Sequence, residues 1–130
     1  MEEMIDEFLK MKTFAVFGAS DQRDCIGYKI VHQLAKKGYD VFPINPRIAK
    51  IGSMRCYGTL DELPSVPQVV VINLPPGPAL EVMKSSLLHG IRRFWLQPGS
   101  ESDSVLTFPS ENGLVTVHSR CLYQQLGGHP

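Results

Sequence analysis

Short runs of consecutive apolar residues recur along the chain, and most of them end at a turn containing glycine or proline. The clearest runs are 13–17, which ends at Gly18, and 69–72, which precedes Pro75. A strand that is apolar at every position is buried on both faces, as in a parallel sheet. Segments with apolar residues at helical spacing separate the runs. This alternation predicts an α/β fold, an open parallel sheet with right-handed crossovers and helices on both faces.

The pattern predicts about five main strands, beginning near residues 13, 40, 68, 93 and 115. Helices are predicted over 2–11 and 26–37, and from Pro78 to Gly90 with a buried stripe of Leu80, Met83, Leu87 and Leu88. Between 48 and 67 the pattern is less regular, with a short edge strand at 56–57 and a helical turn at 60–63. Pro109 is at odds with a helix over 101–112, and Pro43 is at odds with a central position for the second strand.

Length and charge narrow the class of protein. A chain of 130 residues predicts one domain over 1–130, with an N-terminal helix at 1–12 and a tail at 122–130. The 13 basic residues balance the 13 acidic ones, which argues against a nucleic-acid partner. No apolar run reaches the roughly 18 residues of a membrane helix, and the acidic start is unlike a secretory signal. Three widely spaced cysteines indicate reduced thiols. We therefore expect a cytoplasmic protein without a membrane partner. The apolar stripe of helix 2–11 would serve either to pair two copies as a homodimer or to pack onto the domain, and the sequence identifies no partner protein.

The carboxyl ends of the predicted strands are where a ligand is expected. Gly18 and Ser20 follow the first strand, and the free amides that begin helix 26–37 favour an anion such as a phosphate or pyrophosphate. The alternative is that Gly18 and Gly27 only allow the helix to pack closely against the sheet. Neither the spaced glycines of a dinucleotide-binding fingerprint nor a P-loop is present.

Arg47 gives a further indication of the ligand. Proteins that bind NAD place a carboxylate after the second strand to hold the ribose, whereas this chain has Asn45, Pro46 and Arg47 there. A guanidinium attracts a phosphate on the ribose, which favours coenzyme A or NADP. The alternative is that Arg47 is an ordinary solvated side chain that binds no ligand.

These motifs, taken in order, resemble the small stand-alone CoA-binding proteins of bacteria and archaea, which are similar to the N-terminal domain of the succinyl-CoA synthetase α subunit. The matching stretches are 14–20, 26–29, 38–46, Gly52, Tyr57, 60–64, 95–99 and 120–121. The resemblance implies a Rossmann-like sheet that binds CoA or an acyl-CoA across the strand ends. Cys25 stands where the family is expected to have a polar residue, and the segment with Pro109 fits the usual helix poorly.

The resemblance also implies where each part of CoA would lie. The phosphates would lie against Gly18, Ala19, Ser20, Gly27 and Tyr28. The phosphate end of the adenosine would face Asn45, Pro46 and Arg47. The adenine or the pantetheine arm would pack near Leu74, Pro75 and Pro76. The arm would contact Gln97, Pro98 and Gly99.

The sequence predicts no catalytic residue and no metal site. The four histidines lack metal-ligand spacing, no serine-hydrolase elbow is present, and the chain does not include the histidine-bearing domain through which succinyl-CoA synthetase relays phosphate. The prediction is a binding protein without chemistry of its own. An NADP-dependent enzyme and a ligand-free regulatory module remain as alternatives. A further hypothesis is a mixed disulfide between the CoA thiol and Cys25 or, less readily, Cys121, as opposed to ordinary unreactive thiols.

Overall fold

The computed structural model describes residues 1–129, and strands and helices alternate along them. The helices are α1 (Glu2–Leu9), α2 (Ile26–Lys36), α3 (Pro76–Leu88), α4 (Asp103–Glu111) and α5 (Leu122–Gln125). The strands are β1 (Thr13–Phe17), β2 (Asp40–Ile44), β3 (Lys50–Ile51), β4 (Met54–Arg55), β5 (Val69–Ile72), β6 (Arg93–Leu96) and β7 (Val115–Val117). A 3-10 turn covers Leu60–Glu62.

Five of the strands form one parallel sheet in the order β2-β1-β5-β6-β7. The chain runs from β1 to β2 on one side and then crosses to β5 on the other side of β1. This reversal makes the pair β1–β5 the switch point of a Rossmann-like, doubly wound sheet. The predicted fold class, an open parallel sheet of about five strands with helices on both faces, is confirmed.

Alternate residues of the central strands pack on opposite faces of the sheet. Val69 and Val71 contact a cluster with α1, α2 and α5, while Val70 and Ile72 contact a cluster with α3 and α4. All four side chains are buried. The continuous apolar run in the sequence therefore reflects a strand covered on both faces.

Prolines occupy positions that the fold tolerates. Pro43 lies in β2, which is the edge strand of the sheet, opposite Val16 of β1. Pro109 lies in the last turn of α4 and is itself buried. Its carbonyl oxygen accepts hydrogen bonds from the amides of Asn112 and Leu114, at 3.2 and 3.0 Å, so this carbonyl in the last turn is satisfied. The conflict between Pro109 and a helix at 101–112 is thus resolved in favour of the helix.

Three sequence-based expectations need correction. Leu88 is 88% exposed and does not belong to the buried stripe of α3, because it lies about 140° around the helix from Met83. Residues 56–57 form one bridge, Ile44 to Tyr57, and the hairpin β3–β4 precedes it. The expected tail contains α5, whose Leu122 is buried against the sheet.

Candidate functional site

The turn after β1 is held against the turn after β5 by main-chain packing. Gly18 has φ +81°, and a Cβ there would lie 2.0 Å from the carbonyl oxygen of Asn73. A Cβ on Gly27 would lie 2.1 Å from the carbonyl oxygen of Gly18. The glycines therefore let α2, β1 and the β5 turn come together, which is the packing role considered in the sequence. That role leaves the amides at the start of α2 available to a ligand.

No side chain caps the N-terminus of α2 among the residues that the structure describes. Ser20, in the loop that leads to α2, accepts a hydrogen bond from the amide of Gln22 at 3.0 Å. The thiol of Cys25 lies 3.6 Å from Oε1 of Gln22. Free amides and the helix dipole make this turn suited to an anion.

Asn45 joins the turn after β2 to the turn after β1. Its Nδ2 donates to the carbonyl oxygen of Ala19 at 2.8 Å, and its Oδ1 accepts from the amide of Arg47 at 2.9 Å. The structure thus brings the predicted residues 18–20 and 45–47 to one edge of the sheet. Because the amide is used on both sides, Asn45 also fixes the course of the chain that carries Arg47.

Beyond Asn45 the surface opens into what we call the β2-side cavity, with a volume of about 500 Å³. Its lining combines one cation, one carboxylate and small or apolar groups: Asn45, Pro46, Arg47, Ile48, Ala49, Cys56, Gly58 and Glu62. Burial raises the pKa of the Cys56 thiol, whose Sγ lies 3.8 Å from the carbonyl oxygen of Asn45. Cys56 is therefore a neutral, apolar part of the wall at neutral pH.

A second depression, the β5–β6 groove, follows β5 and β6 and has a volume of about 310 Å³. Its lining residues are Asn73, Leu74, Pro75, Pro76, Pro98, Gly99 and Ser100. The hydroxyl of the buried Ser100 accepts from the amide of Leu74 and donates to the carbonyl oxygen of Ile72, both at 3.1 Å. Ser100 thereby fixes the two turns that form the groove.

Two predicted residues point elsewhere. The side chain of Gln97 is buried; its Oε1 accepts from the amide of Leu122 at 2.7 Å and its Nε2 donates to Sγ of Cys121 at 3.3 Å. The ring of Tyr28 stacks on the ring of His32, with 5.8 Å between the ring centroids. Tyr28 also lines a separate pocket, together with residues of the β3–β4 hairpin. The remaining predicted residues lie in or beside three features: the turn after β1 (residues 18–20, called the first turn below), the β2-side cavity and the β5–β6 groove.

Sequence reasoning missed Asn73, Ser100 and Glu62. Ser100 and Asn73 adjoin predicted turns, so widening each turn by one residue would have included them. Glu62 lies fifteen residues beyond Arg47, within the stretch 60–64 that matches the family, but nothing in that stretch indicated a binding role. No helix of the described chain is long and apolar enough to cross a membrane. Within residues 1–129, no cluster of three or more His, Cys, Asp or Glu is placed to bind a metal.

Comparison with known proteins gives a consistent set of relatives. The family model described as CoA binding domain matches residues 12–126. A conserved hypothetical protein from Pyrococcus furiosus superposes with a TM-score of 0.82 at 32% identity, covering 88% of this chain and 98% of that one. An uncharacterized protein of Bacillus subtilis, YneT, is 23% identical over 87% of this chain and 84% of its own length.

The match extends to a part of a larger enzyme. The acetate–CoA ligase (ADP-forming) II of Archaeoglobus fulgidus is 31% identical over 83 residues, which is 62% of this chain and 12% of that protein. The chain spans 11 to 16% of the three curated CoA ligases and synthases that it matches. Similarity therefore extends only to one segment of each of those enzymes.

Proposed function

The chain belongs to the CoA-binding domain family, and we propose that it binds coenzyme A or an acyl-CoA at the carboxyl edge of its sheet. The observation that carries the proposal is the arrangement of one anion-suited turn between two depressions. The first turn, with Gly18, lies at the switch point, the β2-side cavity lies on one side and the β5–β6 groove on the other. CoA has a pyrophosphate between a phosphorylated nucleoside and a long arm, so its three parts match the three features.

The phosphates of the ligand are assigned to the first turn. The uncapped amides at the start of α2 supply hydrogen-bond donors, and the dipole of an eleven-residue helix favours negative charge there. The 3′-phosphate of CoA is assigned to Arg47, which lines the β2-side cavity. The pantetheine arm is assigned to the β5–β6 groove, whose walls are prolines, Leu74 and Gly99.

We propose further that the protein binds its ligand without transforming it. The residues lining the β5–β6 groove include no side chain that titrates between pH 4 and 10. His89 directly follows α3 and forms a hydrogen bond with Asp61 in the 3-10 turn. Neither residue lines the groove. Acetyl-CoA incubated with the protein is therefore expected to release free thiol no faster than in buffer, and a protein-dependent release would contradict this part of the proposal.

The test of binding is isothermal titration with CoA, dephospho-CoA, NADP and NAD. CoA is expected to bind at least about tenfold more tightly than dephospho-CoA, because a charge-assisted contact to a phosphate contributes about 1.5 kcal/mol or more. Arg47→Ala is expected to remove that difference while leaving dephospho-CoA affinity unchanged. The control is Arg92→Ala. Arg92 is an exposed arginine just before β6, so it lies at the amino ends of the strands, away from the candidate site.

NADP is the competing ligand, because Arg47 suits a phosphate on either ribose. The glycine spacing of dinucleotide-binding proteins is absent from the first turn, and the family model favours CoA. Binding of NADP without CoA would replace the proposal with a nicotinamide-dependent one. Absence of binding by all four nucleotides would leave a regulatory module that acts through other proteins.

A further inference from the structure

The β2-side cavity contains two charged side chains of opposite sign, Arg47 and Glu62. Within residues 1–129, four salt bridges are formed, and neither of these two residues takes part in them. A ligand that enters the cavity therefore meets a guanidinium and a carboxylate that form no ion pair with another side chain of the described chain. A ligand with only negative charge does not use the second group.

The carboxylate of Glu62 has a defined position. It lies over Gly58, where a Cβ would be 2.6 Å from Oε2, so the missing side chain makes room for it. The hydroxyl of Thr59 donates to Oε2 at 3.3 Å. Oε1 has no hydrogen-bond partner among the described residues, which leaves it as an acceptor on the cavity wall. Because Glu62 is exposed, Oε1 is open to solvent and to a ligand in the cavity.

The covalent structure of the ligand links these two groups. In CoA the 3′-phosphate and the adenine are attached to the same ribose. If Arg47 binds the phosphate, the base has to lie within a few ångströms of it, hence in the same cavity. Adenine presents a 6-amino group, which is a hydrogen-bond donor. The β5–β6 groove, on the other side of the first turn, is then left for the arm alone.

We infer that Glu62 determines the base specificity of the site, with Oε1 accepting a hydrogen bond from the adenine 6-amino group while Arg47 binds the 3′-phosphate of the same nucleotide. The inference rests on the proposed CoA binding and bears on Leu74, Pro75 and Pro76, for which the sequence left open a contact with the adenine or with the pantetheine arm. It assigns the adenine to the cavity near Glu62 rather than to Leu74, Pro75 and Pro76.

The test compares two nucleotides that differ only in the amino group. Adenosine 3′,5′-bisphosphate and its analogue with unsubstituted purine, which lacks the 6-amino group, are titrated into the wild-type protein, Glu62→Gln and Glu62→Leu. A hydrogen bond to a carboxylate predicts a preference of about tenfold for the adenosine nucleotide in the wild type. Glu62→Gln, which keeps an acceptor oxygen, retains part of the preference, and Glu62→Leu removes it. Glu81→Leu, which replaces an exposed carboxylate on α3, keeps the wild-type value.

Each other outcome has a distinct meaning. Equal affinity of the wild type for the two nucleotides overturns the assignment of Glu62 while CoA binding stands. A preference that persists in Glu62→Leu, with a melting temperature equal to that of the wild type, overturns it as well. If neither nucleotide nor CoA binds the wild type, the proposed function fails and the inference fails with it.

Discussion

The two sides of the candidate site differ in the atoms that form them: main-chain atoms on one side and charged side chains on the other. At the switch point, between β1 and β5, the close contacts involve main-chain atoms and glycines, as where Gly27 meets the carbonyl oxygen of Gly18. In the β2-side cavity the distinguishing groups are the exposed side chains of Arg47 and Glu62. The first region sets the shape of the site and the second sets its chemical preference. Substitutions are therefore expected to change stability in the first region and affinity in the second.

The largest effect is expected for Gly27→Ala. The new Cβ would lie 2.1 Å from a main-chain oxygen that cannot move without displacing the first turn. Such overpacking costs about 3 kcal/mol of unfolding free energy. The matched control is Gly77→Ala, since Gly77 is also the second residue of a helix, α3, but nothing lies within 4 Å of its added Cβ.

Gly77→Ala is expected to be neutral or to stabilise the protein by about 0.5 kcal/mol, because alanine loses less conformational freedom on folding. Urea unfolding of both variants measures the difference. Equal stabilities would mean that the first turn adapts easily, and the contrast between a rigid main-chain region and an adaptable side-chain region would be lost.

Ser100→Ala tests the same rigidity at the β5–β6 groove. The substitution leaves the amide of Leu74 without its acceptor, at a site where Ser100 is 2% exposed. The carbonyl oxygen of Ile72 loses the hydroxyl but keeps the amide of Gln97 as a donor at 2.9 Å. A buried group left without a partner costs about 2 kcal/mol. Ser86→Ala is the control: Ser86 is equally buried, but its hydroxyl has no partner within the described chain. We expect Ser86→Ala to be neutral or stabilising in the same unfolding experiment.

Much of the fold followed from the periodicity of the sequence. Runs such as 69–72 gave the strands, because parallel strands buried on both faces are apolar throughout. The hairpin β3–β4 was missed, since two-residue strands contain no period to detect. Leu88 was misplaced because the stripe of Leu80, Met83, Leu87 and Leu88 fits helical spacing only approximately. Packing against the sheet shows which of these side chains are covered.

The site was predictable to the extent that it lies directly after strands. Asn45 and Gly18 were found in this way, and the structure places them beside each other through Ala19. The direction of side chains was not predictable: Gln97 turns inward to bind the amide of Leu122, a contact between segments 25 residues apart. The sequence predicted the turn that contains Glu62, but only the structure shows that this turn forms part of the cavity wall beside Arg47.

Asn45→Asp tests the link between the two regions. A carboxylate cannot donate to the carbonyl oxygen of Ala19, so the 2.8 Å bond becomes a contact between two acceptors. We expect a loss of about 1.5 kcal/mol of unfolding free energy. CoA binding should also weaken, since the turn that carries Arg47 loses its link to the turn after β1, although the carboxylate still accepts from the amide of Arg47. Asn112→Asp, which also removes a bond from Nδ2 to a main-chain oxygen at 2.8 Å but at an exposed helix end, is the control. Equal losses in both variants would argue against a special role for Asn45.

The smallest effect concerns the 3-10 turn that carries Glu62. His89 joins it to α3, with Nδ1 donating to the carbonyl oxygen of Ser85 at 3.0 Å and Nε2 to Asp61 at 2.8 Å. The bond to Ser85 and the carboxylate of Asp61 raise the pKa of His89 above its ordinary value of 6.5. Its stabilisation is therefore complete below pH 6.5 and is lost as the pH rises through the folded-state value. Because the Asp61 side chain is 83% exposed, about 0.5 kcal/mol is expected. Urea unfolding at pH 5.5 and 8.5 should give a smaller pH difference for Asp61→Asn than for the wild type. An unchanged difference would mean that this contact does not restrain the turn, and that Glu62 is positioned without help from His89.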